Sequence, residues 1–262
     1  MNFNEKYGPW ALIAGASEGI GAAYARQIAK KGLNLVLIAR RREPLSALAQ
    51  EITHTYAVDV RTVALDLGSP NLVSLLDDAA CGLDIGLCVY NAAASNLGHF
   101  ADVSLANKMQ EIDINVRGPM TLADYFVPRL IARGKGGLIL MTSIAGLGGS
   151  SVVATYAATK SFMRVLAEGL WAELKPHGVD VLACVAGATD TPNYQATKPD
   201  GNAPTQTPDE VVSLALASLG RGPVVISGFA NKIVSFLFGR VLPKSVSVRL
   251  MSAQLQRLYG QD

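Results

Sequence analysis

Several chemistries are made improbable by what this chain has little of. There are three cysteines, Cys81, Cys88 and Cys184, an odd number without metal-type spacing. Two lie in strand-like apolar runs, so they read as reduced core residues of a cytoplasmic protein. The three histidines, His54, His99 and His177, are far apart in sequence, which argues against a metal site or a histidine-based triad. Neither charge dominates: 23 Lys and Arg against 21 Asp and Glu give a net charge of +2. Nucleic-acid binding needs a concentrated basic face, so no nucleic-acid partner is expected. No apolar run approaches the length of a membrane span. The opening MNFNEKYGPWALIAG lacks the basic segment and apolar core of a signal peptide. No Pro/Gly/Ser-rich linker divides the chain, and 262 residues suffice for one large domain, expected over 1–262. Half the residues are hydrophobic and only 6% aromatic, the composition of an interior rich in alanine, valine and leucine.

What is present is an alternation of apolar runs and helix-like segments. Trp10 to Ala14 is a short strand that runs into GASEGIG and then into a helical pattern closed by Gly32. Gly15 permits a tight turn, while Gly19 and Gly21 allow a ligand and the strand to approach the helix N-terminus, where amides and dipole attract a pyrophosphate. Asn34 to Ala39 is a continuous apolar run suited to a strand buried on both faces. It ends in Arg40, Arg41 and Arg42. In dinucleotide-binding folds an acid at this tip accepts from a free ribose 2′-hydroxyl, and an arginine accommodates a 2′-phosphate. The arginines therefore point to NADP(H), with NAD(H) still open. Glu18 in the glycine loop runs against that preference, and the alternative is a solvated basic turn. Further strands are expected at Arg61 to Leu67, ending in Asp66-Leu67, and at Ile85 to Tyr90, ending in Asn91 and small residues. Others are expected at Gly137 to Thr142 and Val179 to Val185. The expected fold is α/β: a Rossmann-like, doubly wound parallel sheet with helices on both faces. Gly15, Arg40, Asp66, Asn91 and Ser143 all fall at carboxyl ends of strands, where such sheets bind ligands.

Tyr156 and Lys160 stand one helical turn apart on a helix expected from Thr155 to Leu174, so ammonium and phenol share a face. A free phenol titrates near about 10, and a fixed cation beside it lowers that value. Tyr-x-x-x-Lys also occurs by chance, with the tyrosine simply packing. Asn115 lies in a helical stretch between Leu105 and Ala132, where asparagine is more often an exposed residue or a small distortion. The polar loop NYQATKPDGNAPTQ has the length of a lid, the alternative being an irregular excursion.

Taken together these residues resemble the short-chain dehydrogenase/reductase superfamily over nearly the whole chain. The glycine motif appears as AGASEGIG, with Ala14 in place of the usual threonine. The Asn-Asn-Ala-Gly motif appears as Tyr90-Asn91-Ala92-Ala93, and the Pro-Gly motif as Ala186-Gly187, with Thr191 following. Asn115, Ser143, Tyr156 and Lys160 match the family's active-site set in order and approximate spacing. The resemblance implies cofactor contacts at Gly15, Ser17, Gly19, Ile20 and Gly21, at Arg40 and Arg41, at Asp66 and Leu67, and at Asn91 and Ala92. It extends them to Tyr156, Lys160, Gly187, Thr189 and Thr191. It implies that Ser143 binds the substrate carbonyl oxygen, Tyr156 passes it a proton, Lys160 holds the nicotinamide ribose, and Asn115 holds a relay water. The implied substrate is a small carbonyl compound or alcohol, with an acyl or steroid-like ketone suggested by YGPWALIAGASEGIG. A non-catalytic dinucleotide-binding regulator or scaffold is the competing class, and a sugar-nucleotide epimerase or dehydratase a third.

From Ala230 onward five basic residues, Lys232, Arg240, Lys244, Arg249 and Arg257, are interspersed with apolar ones. Residues 228–262 are expected to form a substrate or interface segment. One reading lays it on an anionic membrane, as peripheral contact, or along an apolar substrate cavity. The other packs it in a subunit interface of a homodimer or homotetramer.

Overall fold

The structure, a computed structural model, describes residues 1–197 and 205–259. Seven parallel strands form one sheet in the order β3-β2-β1-β4-β5-β6-β7. They are β1 Trp10–Ala14, β2 Asn34–Ala39, β3 Val60–Ala64, β4 Ile85–Tyr90, β5 Gly136–Ser143, β6 Val179–Ala186 and β7 Val224–Ile226. The helices are α1 Phe3–Tyr7, α2 Gly19–Lys30, α3 Arg42–Thr55, α4 Leu72–Ala80, α5 Leu105–Ile112 and α6 Gly118–Arg133. Along the second half run α7 Ala154–Leu174, α8 Pro192–Thr197, α9 Pro208–Ser218, α10 Phe229–Phe236 and α11 Lys244–Tyr259.

The sheet is covered on both sides because its central strands are apolar at every position. Side chains alternate across a strand, so Ala11 and Ile13 enter one core with α2, α3 and α9. Leu12 and Ala14 enter the other with α4, α6 and α7. On α7 the stripe Met163, Ala167 and Leu174 turns inward, at helical spacing. Full burial of each large apolar side chain contributes roughly 1.5–3 kcal/mol.

The third strand stops at Ala64 instead of continuing to Leu67. Its single neighbour, β2, ends at Ala39, the partner of Ala64, so residues beyond have no ladder to join. Asp66 turns the chain there, its Oδ1 accepting from Gly68 N at 3.0 Å. The helix expected between Leu105 and Ala132 is two helices joined by a π-turn at Asp113–Arg117. The segment expected as an open polar loop begins with α8, and Thr189 bridges to Gln206 on its far side. Residues 198–204 of that candidate lid lie outside the described residues.

β1 lies between β2 and β4, so the chain's winding reverses at the β1/β4 boundary. In such sheets the crevice opens at that switch point.

Candidate active site

At the carboxyl end of β1, the left-handed Gly15 (φ +85°) turns the chain, and a Cβ there would come within 2.5 Å of Ala92 N. Asn91 braces the turn, donating from Nδ2 to Gly15 O at 2.8 Å. A Cβ on Gly21 would lie 1.9 Å from Gly15 O, so α2 can begin this close to β1 only with glycine. Gly19 (φ +55°) faces Thr191, whose Cγ2 would be 2.8 Å from an added Cβ. The loops after β1 and β6 therefore meet. The N-cap of α2, Glu18, makes no side-chain capping bond, leaving the first amides of that helix for an anionic ligand. These features fit a dinucleotide. Ser17 and Ile20 are partly exposed in the same loop.

At the tip of β2, Arg41 pairs with Glu18 at 2.6 Å, which answers the acid that opposed a 2′-phosphate. Arg40 is exposed and has no ion pair among the described residues. Asp66 is exposed beyond β3, whereas the side chain of Leu67 packs in the core, leaving only its backbone for a ligand. Ala92 is half-buried. After β6, Gly187 lies against Asn231 of α10, 2.2 Å from where a Cβ would stand. Thr189 is buried, donating to Gly187 O at 3.1 Å, and Thr191 Oγ1 accepts from Tyr194 N at 3.1 Å.

Asn115 is fully buried, in the π-turn and not on an exposed helical face. Its Oδ1 accepts from Ala94 N at 2.9 Å and its Nδ2 donates to Ala94 O at 2.8 Å. The same Nδ2 reaches Thr159 Oγ1 at 3.0 Å, and that hydroxyl donates to Tyr156 O at 2.8 Å. One amide thus fastens the chain after β4 to the turn of α7 that carries Tyr156. Thr159, missed in the sequence, sits beside Lys160 and three residues after Tyr156, a spacing that could have marked it.

Ser143 ends β5, its Oγ accepting from Ala145 N at 3.2 Å. Tyr156 is half-buried, with Lys160 Nζ 5.7 Å from its ring centroid. Lys160 is almost fully buried and donates to Met141 O at 3.0 Å. The expected lowering of the phenol pKa by the ammonium is not found. Burial pushes Tyr156 up to about 12; the neighbouring Ser143 hydroxyl pulls down, while Glu111 and Tyr259 push up. Desolvation brings Lys160 down to about 8. Burial disfavours both charged forms here, and it outweighs their proximity. The Tyr156 phenol is therefore protonated through the neutral range.

A sheet of this order with an Asn, Ser, Tyr and Lys gathered at its carboxyl edge defines a nucleotide-dependent oxidoreductase architecture. Residues 9–202 match the short chain dehydrogenase family, and the chain belongs to it. Among its relatives is a 7beta-hydroxysteroid dehydrogenase of Mediterraneibacter gnavus, 33% identical over 88% of this chain and 90% of that protein. A solved 7beta-hydroxysteroid dehydrogenase superposes with a TM-score of 0.90 at 31% identity, covering 96% of this chain and 99% of the other. A short-chain dehydrogenase from Sphingobium yanoikuyae, solved with NADPH, superposes at 0.77 and 31% identity over 84% and 87% of the two chains.

Proposed function

We propose that this protein is an NADP(H)-dependent oxidoreductase that interconverts a bulky, apolar ketone, acyl or steroid-like, and its secondary alcohol. The observation that carries the reading is the link from Asn115 through Thr159 to Tyr156, with Lys160 against the same ring and Ser143 beside the phenol. Such a joined set of a donor, its neighbouring hydroxyl and a cation serves carbonyl chemistry better than passive nucleotide binding.

The glycine loop, the α2 amides and Arg40 would hold the nucleotide, and Asn91 and Thr191 would border it. When bound, the cofactor supplies or accepts the hydride. Tyr156 donates its phenolic proton to the carbonyl oxygen during reduction and accepts one from the alcohol in the reverse direction. Ser143 donates a hydrogen bond to the same oxygen, where negative charge grows as the transition state is approached. Asn115 fixes the height of Tyr156 in the site by holding Thr159. Lys160 places a cation beneath the ring.

A panel of aliphatic, acyl and polycyclic ketones, followed by NADPH absorbance, tests the assignment. Turnover of the apolar members is expected, and complete inertness across the panel would favour the regulator class. Arg40→Ala is expected to weaken NADPH binding about tenfold, the scale of one lost phosphate contact, while leaving NADH nearly unaffected. Equal losses for both would remove the NADP(H) preference.

A further inference from the structure

One buried acid has no part in the scheme above. Glu111, on α5, is 1% exposed. Its Oε1 accepts from both the backbone N and the Nδ2 of Asn96, the latter at 3.1 Å. Its Oε2 is buried without a hydrogen-bond partner among the described residues. A buried carboxylate left half-satisfied is costly, and its position suggests what it does. α5 with α6, and α7, each follow a parallel strand and lead back to the start of the next, so they run in the same direction. The Asn115–Thr159 hydrogen bond aligns them. Glu111 is four residues before Asn115, and Tyr156 three before Thr159. The carboxylate is thus level with the turn that bears the phenol.

We propose that Glu111 is a positioning residue whose negative charge adds to the proton affinity of the Tyr156 phenol and so holds back alcohol oxidation, which needs the phenolate, relative to carbonyl reduction. The inference rests on the oxidoreductase reading. Burial lifts the pKa of Glu111 above the usual carboxylate value, and the two N–H donors from Asn96 pull it back toward the ionised form. Its charge is among the influences that raise the phenol's.

The surroundings offer little to neutralise Glu111. On α7, Lys160 turns to Met141 O, and Arg164 pairs with Glu168 at 2.5 Å. In the π-turn Asp113 and Arg117 pair with one another. The segment after β4 has no ionisable side chain from Asn91 to Gly98, and His99 beyond it is exposed. On its own helix, Lys108 lies over the Phe100 ring at 3.9 Å. From α11, Tyr259 acts on Tyr156 in the same direction as Glu111.

The test uses Glu111→Gln, which can still accept from Asn96, and Glu111→Met, which removes the charge without introducing an amide. The phenol is followed by NMR of 13Cζ-labelled tyrosine, the Tyr156 signal being assigned by its loss in Tyr156→Phe. In both variants the midpoint is expected to fall by about one pH unit, the scale set by one nearby charge. The limb on which alcohol oxidation rises with pH is expected to move down equally, making oxidation about tenfold faster at a fixed pH on that limb. Unmoved midpoints, or failure of both variants to fold, would overturn the proposal and leave Glu111 a structural tether for Asn96. If Tyr156→Phe kept full turnover, the oxidoreductase mechanism would fail instead, and the NMR midpoint would still report on Glu111.

Discussion

The two ends of this chain solve opposite problems. From β1 to the first turns of α7, apolar side chains are spent inside two continuous cores, and glycines are placed where a single methyl group would collide with backbone. From α10 onward several large apolar side chains face outward: Phe229 is 80% exposed, Phe236 58% and Val241 55%. Yet this segment is anchored at the site, through Asn231 against Gly187 and through Ser252 Oγ, which accepts from Ser151 N at 3.0 Å. The difference separates a closely packed part that carries the candidate site from a tail with exposed apolar surface beside it. Exposed patches of this kind usually mark binding surfaces.

Substitutions should follow that division, and the largest effect belongs to the closely packed part. Tyr156→Phe is expected to lower kcat on the order of 10³-fold, within the range of general acid catalysis, with cofactor affinity retained by fluorescence titration. Undiminished turnover would erase the distinction. Next, Gly21→Ala would drive a methyl group into Gly15 O and cost about 3 kcal/mol, as overpacking does, seen as a lower denaturation midpoint.

A subtler effect concerns Lys160. Its folded pKa, about 8, lies below the usual lysine value of about 10.4. Between these values the unfolded chain binds more protons, so this residue's contribution makes stability rise with pH across that window. Thermal melts of the wild type between pH 7.5 and 10 should show this rise relative to Lys160→Met, and parallel curves would contradict it. The smallest effect on stability is expected in the exposed tail. Phe236→Ser should change it by under about 0.5 kcal/mol, as exposed substitutions do, while raising KM for bulky ketones and leaving kcat alone. A kcat defect there would mean that the tail also positions reacting groups.

The sheet was legible because β1, β2 and β4 are apolar at almost every position and end at Gly15, Arg40 and Asn91, which interrupt the pattern. β3 was read too long because Leu65 and Leu67 are buried without being paired to a strand, and hydrophobicity alone does not distinguish the two. Tyr156 and Lys160 were readable from helical spacing. The pKa of the phenol was not, since it depends on burial and on Glu111, a residue distant from it in sequence. The segment after Gly228 was read only as a substrate or interface segment, and the structure gives it two helices, α10 and α11.

The π-turn at Asp113–Arg117 gives the sequence an unusual sensitivity to length. An α-helix advances about 100° per residue, so a widened turn works as a phase adjuster, setting the azimuth of Glu111 independently of that of α6. Removing one residue here would heal the helix into a regular spiral and improve its local hydrogen bonding. It would also swing the carboxylate a quarter-turn out of alignment, trading a better helix for a mistuned acid.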